Sequence, residues 1–179
     1  MADKMNNSAL RFGSDRTGIR SDDVPLLTGV GQFSDDLNIV GQLYAIFVRA
    51  PVAHADVQNI DTTLALAIPD VCGVYTGEDL VAANIGAVPA AISLDGVDGK
   101  PMLHAPIPVM AHKHIRYVGE PLAIVVAENL GAAQLGADAV VLELGERPAA
   151  PTVAAACAKS APVIHKGAPD NIALNWTDG

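Results

Sequence analysis

The stretch that decides the fold is RYVGEPLAIVVA, residues 116–127. Its second half, Leu122–Val126, is a continuous apolar run rich in β-branched side chains, which is typical of a strand buried on both faces. The preceding Gly119-Glu120-Pro121 predicts a sharp turn into that strand, because glycine permits unusual backbone angles and proline fixes the next one. Glu120 would then lie at the end of a sheet, where functional sites are common.

Two interpretations of the Gly119-Glu120-Pro121 turn are open. It is either an interface or near-site turn, or a structural turn whose carboxylate caps backbone N–H groups or pairs with Arg116. The structural interpretation is favoured. The sequence assigns no catalytic, cofactor-binding or metal-binding residue anywhere in the chain.

Working outward, the order strand–helix–strand occurs twice. After the central strand, Asn129–Ala139 predicts an Ala-rich helix, weakened by Gly131 and Gly136, and Val140–Leu144 predicts the next strand. Before it, strands are predicted at 43–49, 55–60 and 71–75, with a helix at 61–67 whose N-cap is Asp61. This order predicts a sheet covered by helices, in the α/β or α+β class.

The charge balance restricts the partners. With 20 acidic and 11 basic residues, the net charge is −9, which disfavours binding to nucleic acid or to anionic membranes. The first residues, MADKMNNSALRFGSDR, contain no apolar core of a signal peptide. The most apolar stretch, 121–127, is far shorter than the roughly 20 residues of a membrane span. The protein is therefore predicted to be soluble and cytoplasmic.

The two cysteines, Cys72 and Cys157, are too few for an iron–sulfur cluster and are expected to be free, partly buried thiols. The string TGVGQF contains Gly29 and Gly31 but lacks the third glycine of a dinucleotide-binding loop, so it is interpreted as a turn.

A metal-binding site is the most specific alternative function that the residues by themselves suggest. His112 and His114 alternate and would share one face of a strand, so both imidazoles could reach one metal ion. The other histidines, His54, His104 and His165, are scattered in sequence, and a surface pair is the favoured interpretation. The acidic pairs at 22–23 and 35–36 are interpreted as solvated turn residues.

Several strings, taken in order, resemble one family. They are LLTGVGQFSDD, GQLYAIFVRAPVAHADVQNID, IPDVCGVYTGEDL, IRYVGEPLAIVVAE and GAPDNIALNW. Together they resemble the start of the large, molybdenum-binding subunit of xanthine dehydrogenase/aldehyde oxidase-type hydroxylases. The resemblance is to the bacterial branch that includes carbon monoxide dehydrogenase and N-heterocycle oxidoreductases.

The resemblance implies the fold, the domains and the cofactors. It implies an α+β fold in which residues 28–146 form an α/β hammerhead domain with a mixed sheet covered by helices. Residues 1–27 would be an extended arm, and residues 147–179 a connector toward a molybdopterin-binding domain. The assembled enzyme would hold a molybdenum–pterin cofactor in its cytosine dinucleotide form. Its [2Fe–2S] clusters and FAD would lie on partner domains or subunits.

The departures from the family pattern are also informative. The glycine-rich cofactor loop is absent, and the active-site glutamate of the family lies near the far end of the full subunit. The leading hypothesis is therefore a structural and assembly portion of a molybdenum hydroxylase that docks on the cofactor-bearing remainder and on other subunits. The alternatives are a free-standing, non-catalytic protein-binding module and an independent metalloenzyme that uses His112 and His114.

Overall fold

The computed structural model describes residues 22–177, which divide into two compact units at Val40 and Gly41. In the first unit, a short helix α1 (Asp23–Leu27) precedes the TGVGQF string, and a single 3-10 turn follows at Ser34–Asp36. Gly29 has a φ of +73° directly after α1, so the interpretation of this string as a turn is confirmed. The predicted arm lies largely outside the described residues.

The second unit contains six strands and four helices in its described part. The strands are β1 (Tyr44–Arg49), β2 (Ala55–Asp61), β3 (Val71–Thr76), β4 (His114–Ile115), β5 (Pro121–Ala127) and β6 (Val141–Glu146). The helices are α2 (Thr63–Leu66), α3 (Gly77–Ala82), α4 (Leu130–Ala139) and α5 (Val153–Ala156). The α+β class and the order of these elements confirm the sequence prediction. None of the described helices has both the length and the apolar character needed to cross a bilayer.

The strands form two separate antiparallel sheets. Sheet 1 has the order β1-β5-β3, and sheet 2 has the order β4-β2-β6. The prediction of a mixed sheet was therefore wrong in this detail. The physical reason is that strands adjacent along the chain, such as β1 and β2, pair in different sheets, which local patterns do not reveal.

The central strand is β5, as its apolar run predicts, but the prediction that it is buried on both faces was partly wrong, because Ile124 and Val126 are only half-buried on the face opposite α4. Leu122, Ala123, Val125 and Ala127 have no exposed surface. Leu122 packs into a core with Ala55 and Ile115 of sheet 2, so β5 joins the two sheets. Burial of an aliphatic side chain of this size contributes about 1.5–3 kcal/mol, which makes this strand the main source of cohesion in the unit.

Helix α4 covers the other face of sheet 1. Asn129 begins it, since its side-chain oxygen accepts the N–H of Ala132 at 2.8 Å. Ala132 and Ala133 then pack against Ala127 with Tyr44, Ile46 and Val71. At the second glycine of this helix, Gly136, a Cβ would lie only 2.7 Å from Val125 Cγ1. A glycine that lowers the intrinsic stability of the helix is thus required for close packing of α4 on β5.

The start of α2 differs from the sequence prediction. Its N-cap is Thr62, and Asp61 is the last residue of β2. The Asp61 carboxylate nevertheless accepts the N–H of Thr63 at 2.9 Å, so it performs the capping contact from one position earlier.

Replacement of the two glycines of α4 by alanine is expected to have opposite effects. Gly136→Ala should lower the free energy of unfolding by about 1–3 kcal/mol, because Val125 is buried and its branched side chain cannot retreat. Gly131→Ala is the matched control, since its Cβ would meet nothing closer than 3.4 Å, and it should raise stability by about 0.5 kcal/mol. Urea unfolding of both variants measures this, and equal effects would contradict the packing argument.

Candidate functional site

The predicted turn at Gly119-Glu120-Pro121 lies where the chain crosses from sheet 2 to sheet 1. β4 ends at Ile115 and β5 begins at Pro121, so five residues make the crossing. Gly119 adopts a φ of +86°, a left-handed conformation that favours glycine. The sequence argument for a sharp turn at this position is confirmed.

Glu120 is the buried polar group of this turn. It is only 2% exposed and ranks among the largest fully buried side chains, together with Ile115, Leu122 and Val125. Its Oε2 accepts the backbone N–H of Arg116 at 2.7 Å, and its Oε1 lies 3.7 Å from Arg116 Nη1. The carboxylate thus caps a backbone N–H and also pairs with Arg116, as the structural interpretation predicts.

The backbone of the turn is tied to its surroundings by further hydrogen bonds. The Ala50 N–H donates to the Glu120 carbonyl at 2.9 Å, and the Gly119 N–H donates to the Ala50 carbonyl at 2.8 Å. Arg49 Nη1 donates to the Gly119 carbonyl at 3.0 Å. The Ala111 N–H donates to the Pro121 carbonyl at 2.7 Å. The turn is therefore fixed by the end of β1 and by the segment before β4.

Burial raises the pKa of Glu120, although the N–H and the charge of Arg116 and the N–H of Tyr117 oppose part of this shift. The apolar surroundings therefore outweigh the Arg116 pairing. A carboxyl group of this kind could hold a proton more readily than an ordinary glutamate, but its contacts are those of a structural group.

Two apolar surfaces lie close to this turn. A cleft of about 720 Å³ is lined by Arg116, Tyr117 and Glu120 together with apolar residues such as Ile92 and Ile107. At the tip of the turn, Tyr117 and Val118 are 49% and 64% exposed. The interface interpretation of the turn stays a prediction, and these exposed apolar side chains support it.

The second surface is the open face of sheet 1, which we define as Ala45, Phe47, Tyr75, Ile124 and Val126. Phe47 and Tyr75 both pair with Ile124 in the register of the sheet, so the three side chains cross the sheet in one row. This face is opposite to the one that α4 covers, and Phe47 and Tyr75 are 42% and 51% exposed. Arg49 lies 5.5 Å above the Phe47 ring, so the row continues toward the turn.

His112 and His114 do not form a metal site with each other. His114 Nδ1 lies 2.7 Å from Asp56 Oδ1, while His112 lines a different cavity beside Lys113. Within residues 22–177, no three His, Cys, Asp or Glu side chains lie together so that they could hold a metal ion.

The scattered histidines, however, converge: His54, His104, His114 and His165 line one polar cleft. Sequence spacing gave no signal of this, because the four come from separate segments.

The cysteine prediction was partly wrong. Cys72 and Cys157 are free, as predicted, but both are exposed rather than partly buried. Cys72 lies on β3 between Val71 and Gly73, at an edge of sheet 1, and its thiol donates to the Asp70 carbonyl at 3.8 Å.

Substitution of Glu120 tests the capping role. Glu120→Ala should lower the free energy of unfolding by about 1–3 kcal/mol, because the Arg116 N–H would lose its acceptor inside the protein. Glu120→Gln keeps an oxygen acceptor and should lose less. Chemical denaturation at neutral pH checks both, and an alanine variant as stable as the parent would exclude a structural role for the carboxylate.

The contribution of Glu120 to the free energy of unfolding depends on pH with a defined sign. Since burial raises the pKa of Glu120 in the folded state, that state binds the proton more tightly than the unfolded state does. The resulting stability is complete below the ordinary glutamate pKa of about 4.3 and is lost as pH rises through the raised value. Unfolding free energies measured across this range should therefore decline less in Glu120→Gln than in the parent chain.

The comparisons with known proteins agree with one another. Residues 28–148 match the model of the family described as "Aldehyde oxidase and xanthine dehydrogenase, a/b hammerhead domain". The nicotine 6-hydroxylase large subunit of Paenarthrobacter nicotinovorans is 42% identical over 125 residues, which are 70% of this chain and 15% of that protein. The putative xanthine dehydrogenase molybdenum-binding subunit of Escherichia coli strain K12 is 32% identical over 83% of this chain and 19% of that protein.

Solved structures show the same likeness. The aldehyde oxidoreductase from Desulfovibrio gigas has a TM-score of 0.67 at 29% identity, covering 84% of this chain and 16% of that chain. The quinoline 2-oxidoreductase from Pseudomonas putida 86 has a TM-score of 0.64 at 33% identity, covering 78% and 17%. This chain spans less than a fifth of the length of these relatives. It belongs to the aldehyde oxidase and xanthine dehydrogenase family, and the part that matches is the hammerhead domain.

Proposed function

We propose that this chain is a scaffold and docking portion of a molybdenum hydroxylase large subunit and that it does not perform the chemistry by itself. The observation that carries the proposal is the open face of sheet 1, an apolar row over which no described helix of the second unit lies. Exposed aromatic side chains of this kind are typical of surfaces that another protein covers.

The partner in this proposal is the cofactor-bearing remainder of the large subunit. The surface of Phe47, Tyr75 and Ile124 is apolar, so it matches the buried centre of a stable interface rather than a transient polar contact. Tyr117 and Val118 at the turn would extend the contact, because Arg49 connects Phe47 to the Gly119 carbonyl. Further hydroxylase subunits would bind through the remainder or through other parts of this surface.

The cofactors in this proposal reside outside the described residues. No group of three potential ligands lies together in the described part of the chain, and both thiols are single and exposed. The residues present there do not fit a metal ion or an iron–sulfur cluster. The molybdenum–pterin cofactor in its cytosine dinucleotide form, the [2Fe–2S] clusters and FAD would be held by partner domains or subunits.

The whole enzyme would hydroxylate an aldehyde or an N-heterocycle, with the oxygen atom taken from water. Relatives named for nicotine and quinoline on one side and for aldehydes on the other support both substrate classes. A cytoplasmic location is part of the same proposal. Turnover of the assembled enzyme in ¹⁸O-labelled water tests the reaction class, because the label should enter the product.

The docking surface is tested by a charge placed in its centre. Phe47→Lys should weaken binding of the purified chain to the cofactor-bearing remainder by at least about tenfold, since a central aromatic side chain commonly contributes 2 kcal/mol or more. Isothermal titration calorimetry gives the dissociation constants of the parent and the variant.

The matched control is Leu135→Lys. Leu135 is 60% exposed on α4, the helix on the opposite side of the same sheet. The affinity of this variant for the cofactor-bearing remainder should therefore stay within about twofold of the parent's. Equal losses in both variants would refute docking through the open face. A stable monomer with no affinity for the remainder would favour the free-standing binding module instead.

A further inference from the structure

A second cleft adjoins the apolar one, with which it shares Arg116, His104 and His165, and it gathers basic side chains in an acidic chain. Its volume is about 290 Å³, and segments 103–106 and 163–167 form two of its walls. It contains four of the five histidines and three of the eleven Lys and Arg residues, although the net charge is −9. Among the described residues that line it there is no Asp or Glu.

Arg116 lies in the wall of this cleft and is incompletely satisfied. Its Nη1 donates to the His114 carbonyl at 3.2 Å, and the nearest carboxylate oxygen, Glu120 Oε1, is 3.7 Å away. Its Nε is buried and has no hydrogen-bond partner. A guanidinium group normally uses its planar fork of N–H donors on a carboxylate or a phosphate. Among residues 22–177, no carboxylate lies within hydrogen-bond distance of this guanidinium group.

Other side chains of the cleft are held in place by contacts behind it. Arg147 and His114 share the carboxylate of Asp56, with His114 Nδ1 at 2.7 Å and Arg147 Nε at 2.6 Å. His54 Nδ1 lies 2.6 Å from the Pro148 carbonyl, which can only accept, so Nδ1 donates. In both imidazoles Nδ1 is used by these contacts, and Nε2 is the remaining polar atom. The cleft is therefore preorganised rather than collapsed.

The chemistry of the lining favours an anion over a metal ion. No three potential metal ligands in residues 22–177 lie close enough together, whereas Arg116, Arg147 and Lys166 are cations that would repel a metal. Burial lowers the pKa of His165, and the positive charge of Arg116 adds to this shift, so Arg116 is close enough to act on a group inside the cleft.

We propose that this cleft binds a small oxyanion, either a phosphate or a carboxylate, with Arg116 as the principal ligand and Arg147 and Lys166 beside it. The volume suits a small ligand, since it lies at the low end of ligand-binding cavities. The proposal does not depend on the docking surface, because none of these three side chains belongs to the open face of sheet 1.

The experiment is a titration of the full chain with inorganic phosphate and, separately, with acetate, at constant pH and with chloride added to hold the ionic strength. The imidazole signals of His114 and His165 are followed by NMR. A saturable shift with phosphate assigns the ligand as a phosphate, and one with acetate assigns it as a carboxylate. Chloride alone should produce no saturable shift.

Three variants decide whether the response comes from this cleft. Arg116→Gln should abolish the saturable shift. Lys166→Gln removes an exposed cation without disturbing the interior and should weaken binding about threefold to tenfold, as the loss of one nearby charge predicts. Lys113→Gln is the matched control, because Lys113 lines a different cavity, and its affinity should stay within about twofold of the parent.

Circular dichroism shows whether each variant is folded, and Lys166→Gln keeps the test decisive if Arg116→Gln does not fold. Absence of a saturable shift with either anion overturns the proposal. It is also overturned if Lys113→Gln weakens binding as much as Lys166→Gln does. Neither result affects the docking proposal, because the cofactor-bearing remainder is absent from this experiment.

Discussion

The hydrogen bond from the Arg116 N–H to the buried carboxylate of Glu120 is the contact on which the second unit depends. It closes the turn that carries the chain from β4 of sheet 2 to β5 of sheet 1. The end of this crossing is buried at Glu120, where backbone polar groups need hydrogen-bond partners. The Glu120 carboxylate accepts the Arg116 N–H, and the Glu120 carbonyl accepts the Ala50 N–H. The raised pKa of Glu120 shows that burying the carboxylate opposes its ionisation.

This crossing also determines what each face of β5 contacts. Leu122, next to the turn, packs into the core shared with sheet 2, whereas Val125 and Ala127 face α4. The small residues of α4 let the helix approach closely, so one face of sheet 1 is closed. The row of Phe47, Ile124 and Tyr75 remains on the other face. An apolar sheet face that is left open in this way is typical of a surface that another protein covers.

The histidine-lined cleft shows how a chain of net charge −9 can bring cationic side chains together. Its cations lie at Arg116, Arg147 and Lys166, in three segments that meet beside β4. Arg116 connects this cleft to the buried turn, because its backbone N–H donates to the Glu120 carboxylate and its side chain lines the cleft.

The sequence by itself determined the local elements. The apolar run 122–126 specified a buried strand, Asn129 and the alanines specified α4, and Gly119-Glu120-Pro121 specified a turn with a capping carboxylate. These features depend on side-chain periodicity and on hydrogen bonds between residues no more than four positions apart. A short stretch of sequence is therefore enough to predict them. The tertiary structure alone decided that two antiparallel sheets replace one mixed sheet, that Gly136 contacts Val125, and that the histidines meet in one cleft. Pairings such as Tyr44 with Ala127 join residues far apart in the chain, and burial by the whole fold selects them.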